Sequence, residues 1–77
     1  MERQFQLNWQ AIVKEAIARR KESKLTQEQL AKLANVSKPT VVRFERFEKN
    51  ITLQSAFAIL QTLGLYSEIS RSSGSTF

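Results

Sequence analysis

Between Ser37 and Lys49 the chain reads SKPTVVRFERFEK, and its polar side chains suit holding an anion better than breaking a bond. Arg43 carries a planar guanidinium whose N–H groups form a fork, and only arginine offers that fork to the O6/N7 edge of guanine. Lys38 adds a charge able to read a guanine or hold a phosphate. Ser37 and Thr40 bring hydroxyls for a phosphate or a base edge, and Thr40 also offers a methyl group to thymine. Arg46 and Lys49, with Gln27 further upstream, suit positioning along a phosphate backbone. Support for bond-making chemistry is missing. The 77 residues include no histidine and no cysteine, which removes most zinc sites, serine and cysteine triads and the commonest general base. Two glycines, Gly64 and Gly74, cannot build a phosphate-cradling Gly-rich loop. The expectation is a binding protein, not an enzyme, with no metal and no cofactor.

The wider composition agrees. The length fits one small domain, and the net charge of +5 points to nucleic acid, or less often to an anionic membrane. A core of this size is only marginally sufficient alone, and no disulfide can assist it. A subunit interface is the expected supplement. The absence of cysteine fits a reducing cytosol. No apolar run approaches the roughly 20 residues that span a bilayer. The opening MERQFQLNWQ lacks the apolar core of a secretory leader.

The elements that must hold these side chains follow from periodicity. Residues 1–7 alternate weakly and read as an arm. Asn8 is a plausible N-cap, and the apolar residues at 9, 12, 13, 16 and 17 form a helical stripe. The cations of RRKESK suit that helix's C-terminal end. Thr26 and Gln29 have capping-box spacing for a second helix, TQEQLAKLA, with Leu30, Leu33 and Ala34 on its inner face. Asn35 tolerates the left-handed conformation that ends a helix. Ser37 caps a third helix from about Lys38 to Phe47. Pro39 is harmless there, because first-turn amides have no helical partner. Asn50 or Thr52 caps a fourth, TLQSAFAILQTLG, whose inner stripe is expected to be Leu53, Ala56, Phe57, Leu60 and Leu63. Gly64 ends it. Residues 66–71, YSEISR, alternate with period two like a strand, and 72–77 read as a flexible tail.

Two short helices joined by a tight turn, with Ala31 small at their crossing, are a helix-turn-helix signature. One residue looks misplaced in it: Glu45 falls on the inner face of the third helix. The stripe of the first helix, continued through Ala16, lands on Arg20. Each would be costly to bury alone, and together they can satisfy one another. A structural ion pair between Arg20 and Glu45 is the expectation.

The run LTQEQLAKLANVSKPTVVRFE resembles the phage-repressor, Cro-type (Xre) helix-turn-helix family over about residues 9–65. The resemblance implies an all-α fold, a four- to five-helix lambda-repressor-like domain spanning 8–65. In it Arg20 and Glu45 fall at the family's interhelical ion pair. Gln27 matches a glutamine that holds a phosphate and buttresses the recognition helix. Lys38, Pro39 and Arg43 match positions that face base edges. Phe47 stands where the family has glycine, which implies an altered loop before the fourth helix. Within the family, RFERFEKNITLQSAFAILQTLGL is similar to the high-persistence (Hip) antitoxins. Those are dimeric autorepressors that restrain a kinase-like toxin and pair a short strand across the dimer. The resemblance thus implies a cytoplasmic protein of bacterial or phage origin.

The functional expectation is a sequence-specific repressor that binds a palindromic operator in double-stranded DNA as a homodimer, with a kinase-like toxin as further partner and no membrane role. The alternative is a stand-alone regulator without a toxin. After Lys49 only Glu68 and Arg71 are charged, and Ala58 and Ile59 lie off the expected inner stripe. This apolar surplus suggests an interface. The dimer contact is expected to use Ile59, Tyr66 and Ile69, with the strand at 66–71 pairing across the two-fold axis.

Overall fold

The computed structural model describes residues 8–66. Within them are four helices: α1 (Trp9–Glu22), α2 (Gln27–Ala34), α3 (Lys38–Glu45) and α4 (Leu53–Thr62). The described residues contain no strand, and the all-α expectation holds. The expected arm at 1–7, the expected strand at 66–71 apart from Tyr66, and the expected tail at 72–77 lie outside the described residues.

Every helix starts on a side-chain cap. Asn8, Thr26, Ser37 and Thr52 accept from the backbone amides of Ala11, Gln29, Thr40 and Ser55 respectively. Gln29 returns a bond to the Thr26 amide and completes the capping box. Each cap satisfies an amide that the helix itself leaves without a carbonyl, worth about 1 kcal/mol.

Every helix also stops in the same way. One residue after the last turn takes a left-handed conformation: Lys24 (φ 59°), Asn35 (φ 60°), Phe47 (φ 68°) and Gly64 (φ 77°). The next amide then reaches back five residues. Leu25 donates to the Arg20 carbonyl at 3.1 Å, Val36 to Ala31 at 3.0 Å, Glu48 to Arg43 at 3.2 Å and Leu65 to Leu60 at 2.8 Å. This is the Schellman arrangement, and glycine is its natural residue because it has no Cβ to clash. Only one of the four positions is glycine here. The expected alteration around Phe47 therefore does not take the form of a different backbone stop. Phe47 adopts the conformation a glycine would, and α3 closes at Glu45, two residues before the expected end.

The core draws on all four helices: Val13 and Ala16 from α1, Leu30, Ala31 and Ala34 from α2, Val41 and Phe44 from α3, and Ala56, Ile59, Leu60 and Leu63 from α4 and its cap. Phe44 is fully buried, with the Trp9 ring edge-on to it at 5.6 Å. Two expected inner faces are rotated. On α2, Leu33 is 63% exposed and Ala31 takes its place inside. The small alanine lets α2 approach its neighbours where leucine would hold it off. On α4, Leu53 is 65% exposed, Phe57 is also exposed, and Ile59 is fully buried. Ile59 is thus a core residue and not part of a dimer surface. Helix α4 has no charged residue to mark an outer face, so two apolar stripes fit its sequence. Packing against α2 and α3 selects the one through Ile59.

The left-handed stops make a test of backbone strain. A non-glycine residue in this region costs about 1–2 kcal/mol, partly offset on replacement by glycine's larger loss of freedom. Lys24 is exposed and takes part in no ion pair among the described residues. Lys24→Gly is expected to raise stability by roughly 0.5–1 kcal/mol, and Gly64→Ala to lower it by about 1 kcal/mol. Denaturant unfolding of the two variants measures both.

Candidate nucleic-acid interface

Helix α3 is fastened from behind at two places. Val41 and Phe44 seat it in the core. At its C-terminal end Glu45 turns inward and meets Arg20 from the last turn of α1. Arg20 Nε donates to Glu45 Oε2 at 2.7 Å and Nη2 to Oε1 at 3.1 Å, a bidentate pair. The remaining guanidinium nitrogen, Nη1, donates to the Leu25 carbonyl at 2.7 Å, in the connection between α1 and α2. Gln27, the first residue of α2, donates from Nε2 to Glu45 Oε1 at 2.9 Å. One carboxylate therefore joins α1, α2 and α3. The Arg20 and Glu45 side chains are only 12% and 8% exposed. At that depth neither charge could stand without the other.

The opposite side of α3 faces solvent. Lys38, Val42 and Arg46 follow one another at four-residue spacing, with Pro39 and Arg43 in the adjacent row. Lys38, Pro39, Arg43 and Arg46 are exposed and Val42 is half-buried. None of the cations Lys38, Arg43, Arg46 or Lys49 forms an ion pair among the described residues. At the N-terminal end, the Ser37 and Thr40 hydroxyls share a hydrogen bond of 2.8 Å, and Ser37 Oγ also accepts from the Thr40 amide at 3.2 Å. With its side chains an α-helix is about 10–12 Å across, narrow enough to enter a major groove about 12 Å wide.

Ser37, Lys38, Thr40, Arg43 and Arg46 thus share one helix and its two caps. Lys49 is exposed in the segment after α3. Gln27 sits behind α3, bonded to Glu45, in the buttressing place. Tyr66 stacks on Phe57 with ring centroids 4.6 Å apart and planes 14° apart. Two contributions escaped the sequence. The Leu25 carbonyl is a third anchor of Arg20, and no side-chain pattern signals a backbone acceptor. Arg19, one of the cations at the C-terminal end of α1, donates from Nη1 to the Leu63 carbonyl at 3.3 Å and ties α1 to the end of α4. Its four-residue spacing from Glu15, with which it pairs at 3.9 Å, was the available hint.

A buttressed short helix with unpaired cations outward, preceded by a second helix and a tight left-handed turn, defines a DNA-binding helix-turn-helix domain. The chain belongs to the helix-turn-helix family, whose model matches residues 17–69. It is accordingly a DNA-binding transcriptional regulator of the phage-repressor (Xre) type. A comparison with curated proteins finds no match. Among the described residues, no helix is long and apolar enough to cross a membrane.

The buttress has a sharp energetic signature. Glu45→Ala strands the Arg20 guanidinium and is expected to destabilise by about 3–5 kcal/mol. Arg20→Met combined with Glu45→Leu removes both charges and should recover much of that loss. Recovery is incomplete because the Leu25 carbonyl and the Gln27 amide also lose partners. Gln27→Ala alone should cost about 1 kcal/mol. A double-mutant cycle followed by urea unfolding decides the matter, and additive small losses would show that the pair is not coupled.

Proposed function

We infer that the chain is a sequence-specific transcriptional repressor that binds a palindromic operator in double-stranded DNA as a homodimer. Beside a kinase-like toxin it serves as antitoxin and autorepressor. The observation that carries the DNA reading is the outward face of α3, where Lys38, Arg43 and Arg46 are exposed and free of ion pairs among the described residues. A cation with no internal partner can exchange its counterion for a phosphate or a base edge, and the release of counterions drives binding.

The dimer reading draws on α4. This helix carries no charge and leaves Leu53 and Phe57 exposed, with Tyr66 stacked on Phe57. Ile59 leaves the proposed contact because it is in the core, Tyr66 remains, and the exposed Phe57 joins it. Ile69 and the pairing strand belong to the same proposal. Two domains so joined would present their α3 helices to half-sites about one helical turn, roughly 10 bp, apart. The antitoxin reading draws on the Hip-like run RFERFEKNITLQSAFAILQTLGL and on the same uncharged surface.

Selection from random duplexes tests the DNA reading, and the absence of any enriched motif would refute it. Affinity purification from the native host tests the rest: a kinase-like protein recovered with the chain supports the antitoxin role, whereas operator DNA alone supports a stand-alone regulator. On the enriched site, Arg43→Ala should cost about 1–3 kcal/mol and relax one base position. Arg46→Ala should weaken all sequences alike and reduce the salt slope by about 0.9. Titrations at several salt concentrations separate the two roles.

A further inference from the structure

Resting on the reading of α3 as the helix that enters the groove, we propose that the protein reads its half-site through guanine acceptors and thymine methyl groups, with Pro39 and Val42 forming the methyl contact. The case comes from an inventory of what α3 can offer. Recognition of adenine at N6 and N7 needs a side chain that donates and accepts at once, as asparagine and glutamine do. Recognition of cytosine N4 needs an acceptor, usually a carboxylate. The outward face of α3 has no carboxamide and no carboxylate for these roles. Its one carboxylate, Glu45, points inward and is held by Arg20 and Gln27. The Gln27 carboxamide sits behind α3 and spends one N–H on that same carboxylate, and Asn35 lies in the turn before α3, not on it. The Ser37 and Thr40 hydroxyls are bonded to each other, which leaves one O–H between them and no paired donor and acceptor held in one plane for adenine.

What remains outward is of two kinds. Lys38 and Arg43 are pure donors, and in the major groove guanine presents two adjacent acceptors, N7 and O6, to such groups. Pro39 and Val42 are apolar and lie three residues apart on the same side of the helix. Val42 does not belong to the core cluster. Two apolar side chains set among cations gain little in water. Against a thymine C5-methyl they exclude solvent from both surfaces. Pro39 has neither an N–H nor a polar side chain, so a base beneath it can be sensed only by shape and methyl contact.

Base analogues test this on the unaltered chain. After enrichment from random duplexes, each base of the half-site is replaced singly by 7-deazaguanine, 7-deazaadenine or uracil as its identity allows. Replacing at least one guanine by 7-deazaguanine should weaken binding about tenfold by removing one of its two acceptors. Uracil in place of one thymine should weaken it about threefold to fivefold, the worth of one buried methyl group. 7-Deazaadenine should change it by no more than about twofold at any position, since the N6 amino group beside adenine N7 is itself a donor and disfavours the purely donating Lys38 and Arg43. Val42→Ala should then bind the thymine and uracil sites alike. An adenine whose 7-deaza replacement costs about tenfold overturns the proposal. So does a uracil series without effect. In both cases sequence-specific binding itself still stands. Failure to enrich any motif removes the repressor reading and this proposal together.

Discussion

The architecture depends on a single carboxylate. Glu45 is the last residue of α3, and its two oxygens accept from Arg20 of α1 and Gln27 of α2. Van der Waals packing through Val41 and Phe44 would hold α3 against the core but would tolerate some sliding and rotation. A bidentate guanidinium–carboxylate pair does not, because its hydrogen bonds require coplanar groups at fixed distance. The net stability from such a pair is modest after desolvation. Its value here is positional: it fixes the rotation of α3 about its own axis, and that rotation decides which side chains face outward.

A small domain needs every local device to agree. The hydrophobic core is limited, so the ends of the helices carry much of the specification. Four side-chain N-caps and four left-handed C-terminal stops define where each helix begins and ends. Three of the four stops use residues with a Cβ, which makes each strained by a small amount. Phe47 is the largest such residue and follows directly after the end of α3. Bulk at that point, where a glycine would leave open space, places an aromatic ring beside the base of the recognition helix.

Charge is segregated along the fold. The basic residues of α3 face outward and meet no acidic partner among the described residues, while α4 carries no charged residue. A polyanion and an apolar partner could therefore be held at the same time without competing for one surface. Joining two half-site readers through the apolar side would raise operator affinity without adding any contact to DNA, because the second half-site then binds at high effective concentration.

Much of this was legible in the residues alone. Helix starts were clear because serine, threonine and asparagine side chains mimic the missing carbonyl partner at a defined spacing, as Thr26 with Gln29 and Ser37 ahead of Pro39 illustrate. The Arg20–Glu45 pair was legible because two charges on otherwise apolar stripes have few other ways to be tolerated. The outward cations of α3 followed from the same phase. The rotation of α4 was not legible. Leu53, Ala56, Phe57, Ala58, Ile59, Leu60 and Leu63 supply apolar side chains on most of its circumference, so local periodicity admits both the stripe through Phe57 and the stripe through Ile59. Leu33 and Ala31 posed the same ambiguity on α2. Likewise the stops at Lys24 and Phe47 lacked the glycine that would announce them. These choices belong to the tertiary structure, because they depend on how closely helices can approach and on which side chains fill the space between them, neither of which a single segment encodes.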